Sequence, residues 1–383
     1  MTVTADPQTA GPVWRQGDDP GRRQFVDVGG LDLETGGILP SVTVAYETWG
    51  TLNPAGDNAV LIEHALTGDS HVSGPAGRGH PTAGWWEGLV GPGEPLDSDR
   101  WFVVASNVLG GCQGTTGPSS TSPDGRRWGG RFPFVTIRDQ VEAEARLADH
   151  LGVKSWASVM GGSMGGMRVL EWAVGHPGRV RSAVVLASSA YATADQIAWC
   201  HPQLLAIEGD PDYRGGDYYD RRRTPDTGLG IARRIAHITY RSDPELAERF
   251  GRDAQGPQSP VGGGGQFTVE SYLDHHAGKL VGRFDANSYV TLTRAMNSHD
   301  VGRGRGGIQA ALATVRARTL VVSVDSDRLY PPRLSAELAA AVPGATLAEI
   351  RSEHGHDGFL LEASQVGDLL RDHLVAAGQD RVR

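Results

Sequence analysis

Cysteine is nearly missing from this chain: Cys112 and Cys200 are the only two among 383 residues. A disulfide framework is therefore excluded, and so sparse a thiol content suits a reducing cytosol. Basic residues are also short, with 36 Lys+Arg against 45 Asp+Glu and a net charge of −9 at pH 7. That balance argues against a nucleic-acid protein, which needs a positive surface to neutralise phosphates. No run approaches the ~18 consecutive apolar residues of a membrane span. The first 23 residues lack the basic-then-apolar order of a secretory signal. What is present, 39% apolar and 21% charged residues, is the composition of a soluble globular protein. The expectation is a cytoplasmic enzyme that works on small molecules and binds neither nucleic acid nor membrane.

Residues 1–23 are rich in Asp, Gly, Pro and Gln and read as a loose tail. Beyond them, short β-branched runs at 42–47, 59–64, 101–106, 156–160, 183–187, 319–324 and 346–350 alternate with helical patterns at 137–151, 164–175, 332–341 and 364–376. The runs are apolar on both faces, as strands covered from both sides must be. The alternation predicts an α/β domain with a mostly parallel sheet. Residues 191–308 break the rhythm, with helical patterns at 196–207, 229–240, 270–277 and 287–296 and no strand run. They read as a helical lid inserted into a core formed by 24–190 and 309–383. The Arg/Gly segment 302–307 and Arg221-Arg222-Arg223 have no aromatic platform beside them and read as solvated loops. His275-His276 and His354-Gly355-His356 lack zinc-ligand spacing, so no metal site is expected.

The strongest chemical signal is Gly161-Gly162-Ser163-Met164-Gly165-Gly166, between an apolar run and a helical pattern. Gly-x-Ser-x-Gly in a strand–turn–helix context is a nucleophile elbow, in which side chains at Gly161 and Gly165 would strike neighbouring backbone. A serine hydroxyl needs a base to take its proton and a carboxylate to orient that base. Downstream, Asp327 follows the run 319–324, with Asp325 as the alternative orienter. His356 follows the run 346–350 in a Gly-flanked turn, with His354 the lesser candidate. Oxyanion donors are expected from the backbone of Met164 and from the loop Ala65-Leu66-Thr67-Gly68.

With those residues in view, the chain resembles the homoserine O-acetyltransferase family of the α/β-hydrolase superfamily. The shared motifs are His64-Ala65-Leu66-Thr67-Gly68, the Gly-rich stretch 107–118, Phe132-Pro133, 161–166, Ala232-Arg233, Tyr240, 325–331 and Gly355-His356-Asp357. The resemblance implies the α/β-hydrolase fold and acetyl transfer from acetyl-CoA, as a co-substrate rather than a bound cofactor, to the hydroxyl of L-homoserine on the route to methionine. It implies Ser163 as nucleophile, His356 as base, Asp327 as orienter, and the backbone of Leu66 and Met164 as oxyanion donors. It places substrate contacts on Arg233, Asp357 and Tyr240, and implies a homodimer joined through the lid. A zwitterionic acceptor fits such contacts, its carboxylate wanting a guanidinium and its ammonium a carboxylate. Asp357 read alone is a helix N-cap, and Arg233 a surface charge. Glu142 and Glu144 stand where the family leads us to expect glutamine; that helix is expected to lie away from the triad, without effect on the chemistry. The rival functions are an esterase or thioesterase with water as acceptor, an acyltransferase using succinyl-CoA or a serine-type acceptor, and a non-catalytic scaffold.

Overall fold

The computed structural model describes residues 13–379. Its centre is an eight-stranded sheet of β1 (Gln24–Asp27), β2 (Thr43–Trp49), β3 (Ala59–Glu63), β4 (Phe102–Ser106), β5 (Trp156–Gly162), β6 (Ser182–Leu186), β7 (Arg318–Val324) and β8 (Thr346–Ile350). The strand order is β1-β2-β4-β3-β5-β6-β7-β8. Only β2 runs against its neighbours, pairing antiparallel with β1 and β4; the other ladders are parallel. All seven strands read from the sequence are present. The one missed, β1, is a half-exposed edge strand too short and too mixed to show a pattern.

The central strands are apolar throughout because both faces are covered. Leu61 and Val159 point into one buried cluster, while Val60, Ile62 and Met160 point into the other. Each such side chain contributes ~1.5–3 kcal/mol on burial. Helices α1 (Ile137–His150), α2 (Met164–Gly175), α9 (Pro332–Ala341), the short α10 (Gly358–Leu361) and α11 (Ala363–Gln379) belong to this core. Thr136 starts α1 by a reciprocal capping box with Asp139, which satisfies N–H groups the helix cannot pair itself.

Between β6 and β7 lie α3 (Ala194–Glu208), α4 (Asp226–Tyr240), α5 (Asp243–Phe250), α6 (Thr268–Val281), α7 (Ala286–Asn297) and the short α8 (Ile308–Leu312). α3 packs on α4, and α4 on α6. A third apolar cluster joins this helical segment to the core, with Ile207, Leu229, Tyr289 and Leu292 against Leu66, Met164, Met167 and Tyr330. Part of the N-terminal stretch read as a loose tail is instead seated. Trp14 N donates to Cys112 O, its ring stacks on Phe25 at 4.5 Å, and Arg23 is buried. Residues 1–12 lie outside the described part. The 302–307 segment is a partly exposed turn whose arginines are paired, Arg303 with Glu34 at 2.9 Å and Arg305 with Glu171 at 2.6 Å.

Candidate active site

Ser163 stands where β5 ends and α2 begins, with φ 57° and ψ −123°. A non-glycine residue there carries ~1–3 kcal/mol of strain, which the surroundings must enforce. They do so through Ser163 N donating to Leu186 O at 3.0 Å and Ser188 Oγ donating to Ser163 O at 2.8 Å. The expected glycine requirement has a concrete cause. A Cβ on Gly161 would lie 2.7 Å from the carbonyl oxygen of Glu63, and one on Gly165 would press on the same atom.

Asp327 and His356 meet from loops beyond β7 and β8. Asp327 Oδ2 lies 2.7 Å from His356 Nδ1, and Oδ1 accepts the backbone N–H groups of Leu329 and Tyr330, each at 2.8 Å. Both carboxylate oxygens are thus committed, and the imidazole is fixed with Nε2 unpartnered among the described residues. Burial pulls the His356 pKa down, but the charge and hydrogen bond of Asp327, with the charge of Asp357, outweigh it and leave the value raised. The alternatives face elsewhere. Asp325 accepts Ser352 N, and His354 lies 3.2 Å from Glu245 on α5.

Tyr330 lies beside both Ser163 and His356, a placement the sequence did not suggest. Its buried ring stacks on His356 with centroids 5.0 Å apart, and its phenol adjoins the Ser163 hydroxyl. Ser163, Leu66, Tyr240 and Tyr330 line one narrow cavity, roofed by residues of α3, α4 and α7. Met164 is the first residue of α2, so its N–H and the helix dipole point into the same region. Cys200 also lines this cavity, but burial pushes its thiol up to about 12, which leaves it without nucleophilic thiolate. A larger cavity of about 710 Å³ lies away from this chemistry, between Trp14–Phe25 and Gly114–Trp128.

Charges of opposite sign lie around the His356 turn, Asp357 next to it and Arg233 one ring away. The Arg233 guanidinium lies 5.4 Å over the Tyr240 ring, and that ring lies 5.8 Å from His356. Asp357 makes no helix-capping bond and instead lies 3.3 Å from Arg241 Nη2. Burial raises its pKa against the pull of Arg241, Arg233 and His356. Arg241 was missed because nothing in Tyr240-Arg241-Ser242 says that the side chain turns back toward the site.

A buried charge network supports the elbow from below. Arg168 on α2 lies 2.7 Å from both Glu63 and Glu144, and Trp172 Nε1 donates to Glu144 at 3.0 Å. The helix carrying Glu144 therefore packs on α2 through this network. Burial and the neighbouring Glu144 hold the Glu63 carboxyl well above its ordinary range. A second cluster, Glu47, His71 and His80, has the donor types of a metal site. Its inward atoms are already engaged, however: His71 Nδ1 lies 3.0 Å from Glu47, and His80 Nε2 accepts Arg22 N–H. The cations of Arg22 and Arg23 also bear on it, so it reads as a structural hydrogen-bonded cluster.

A family model described as alpha/beta hydrolase fold matches residues 58–363. The homoserine O-acetyltransferase of Thermobifida fusca is 61% identical over 97% of this chain and 98% of its own length. Among solved structures, a homoserine O-acetyltransferase from Bacillus anthracis superposes with a TM-score of 0.85 at 25% identity, covering 92% of this chain and 97% of that one. An esterase, E22, superposes with a TM-score of 0.84 at 26% identity, covering 92% and 99%. The fold alone is thus shared with hydrolases. Near-complete coverage at high identity separates the possibilities, and this chain belongs to the homoserine O-acetyltransferase family of α/β-hydrolase-fold proteins.

Proposed function

We propose that this chain transfers the acetyl group of acetyl-CoA to the γ-hydroxyl of L-homoserine through an acetyl-Ser163 intermediate. Ser163 Oγ attacks the thioester carbon while His356 Nε2 takes its proton. The C–S bond then breaks, and His356 returns that proton to the departing thiolate. Homoserine enters, His356 takes its hydroxyl proton, and the new alkoxide attacks the acetyl carbon. Ser163 leaves as the second tetrahedral species collapses and recovers the proton from His356. The backbone N–H groups of Leu66 and Met164 carry the oxyanion in both halves. Arg233 receives the acceptor's carboxylate and Asp357 its ammonium, with Tyr240 between them. The observation that carries this reading is the pairing of an Asp327-oriented base with opposite charges on Arg233 and Asp357 beside it.

The esterase reading is favoured by the likeness to solved ester hydrolases, E22 among them. The helices of 191–308 roof the nucleophile and restrict water, which suits transfer over hydrolysis. A homodimer through that roof is part of the proposal, supported by the exposed Ile197, Leu205 and Ile231 on α3 and α4. Work in the cytoplasm fits the free state of Cys112 and Cys200. The test is mass spectrometry of the protein after brief exposure to acetyl-CoA or succinyl-CoA without acceptor. Acetylation of Ser163, discharged by homoserine far faster than by water, is the expected result. A succinyl adduct of equal yield, or discharge that homoserine does not accelerate, overturns it.

A further inference from the structure

A second cavity of about 250 Å³ adjoins the site, lined by Thr67, Gly68, Arg233, His276, Lys279 and Arg283 among others. It shares the turn after β3 with the catalytic cavity, since Leu66 lines one and Thr67 the other. Arg283 Nη1 donates to Thr67 O at 2.7 Å, which ties this cation to the turn that carries an oxyanion donor. Among the described residues neither Arg283 nor Arg233 has a carboxylate within ion-pair distance, and Arg233 Nε is buried without a partner. The one acid lining the space is Asp69, itself 4.0 Å from Arg23. Burial and the charge of Arg233 depress the pKa of Arg283. Two guanidiniums facing one space with a single acid, itself shared with Arg23, are costly, and the cost is recovered when an anion enters. Lys279 adds a third cation at the exposed side.

We propose that Arg283 and Lys279 bind the phosphates of the thioester donor, leaving Arg233 for the acceptor's carboxylate. This rests on the transferase reading and deepens it: the ligand class is a phosphate-bearing thioester whose acyl end reaches Ser163 past Leu66 while its charged end rests on α6 and the turn before α7. Forked and point cations together suit phosphate oxygens, and Arg283 adds directional donors to the charge of Lys279.

The test compares acetyl-CoA with S-acetylpantetheine, which keeps the thioester and the arm but lacks every phosphate. The quantity read is the ratio of kcat/KM for the two donors at saturating homoserine, in the wild type, Arg283→Gln and Lys279→Gln. The wild type should prefer acetyl-CoA, and the preference should fall about tenfold in Arg283→Gln and severalfold in Lys279→Gln, the size of a charge-assisted contact. The KM for homoserine should stay within about twofold. A wild type that uses both donors equally, or variants that keep its preference, overturns the proposal while leaving the transferase reading in place. A rise in the KM for homoserine instead would reassign Arg283 to the acceptor and also overturn it. A wild type that transfers acetyl from neither donor overturns the transferase reading itself. Should Arg283→Gln fail to fold, the exposed Lys279→Gln decides alone.

Discussion

His356 is a buried imidazole whose basicity is set chiefly by Asp327, with a further contribution from Asp357. Because Asp327 and Asp357 raise its pKa above the ordinary 6.5, the neutral form that can accept a proton is scarce at mild acid. Activity should therefore rise with pH along an acid limb whose midpoint lies above 6.5, read from kcat/KM against pH. Asp327→Asn should shift that limb toward lower pH and cut kcat by ~10⁴, since the amide favours the wrong tautomer. An unmoved limb would mean another group controls it. Ser163→Ala should leave less than about a thousandth of wild-type activity in a homoserine-dependent assay, as losing a triad nucleophile does elsewhere.

The elements that hold these side chains depend on features with no catalytic role. Arg168 ties α2 to β3 and α1 through Glu63 and Glu144. Arg168→Met should destabilise the protein by ~3–5 kcal/mol in urea unfolding, because buried Glu63 and Glu144 lose the cation that lies 2.7 Å from both. A change below ~1 kcal/mol would show that the carboxylates are comfortable without it. Gly355, at φ 65°, lets the turn carrying His356 lie against the end of α4, where a Cβ would sit 2.6 Å from Tyr240 O and 2.8 Å from Ser242 N. Gly355→Ala should lower kcat by at least about tenfold while the protein stays folded by circular dichroism, since small misplacements of a base are costly. The glycines of the elbow were legible as a motif; the reason for Gly355 became visible only once α4 was seen beside it.

Across the molecule several histidines are buried in neutral form. Burial lowers the pKa of His64 and His299 to about 3 and of His237 to about 2. His64 follows β3 in the core, while His237 on α4 and His299 just after α7 lie in the inserted segment. The unfolded chain binds these protons near pH 6.5 and the folded chain does not, so the unfolded state gains protons as pH falls. Each group then removes ~1.4 kcal/mol of stability per pH unit below 6.5. His71, whose pKa Glu47 raises against burial, and His356 act in the opposite sense, adding stability below 6.5 that is lost as pH rises through their folded values. The deeply depressed groups span the wider range, so Tm should fall steadily from pH 7 to pH 5; a flat profile would contradict it.

The chain's own order of residues made legible the fold class, the seven main strands and Ser163, Asp327 and His356 as candidate site residues. Those features follow from local periodicity and from residue types that each need their immediate neighbours. Folding in three dimensions decided what periodicity cannot encode: that Tyr330 lies beside both Ser163 and His356, that Arg241 reaches Asp357, that Glu144 meets Arg168 beneath the elbow, and that Arg283 and Arg233 line one cavity. Each of these depends on contacts between segments far apart in the chain. A charged side chain with several rotatable bonds carries no local sign of which distant partner it will meet.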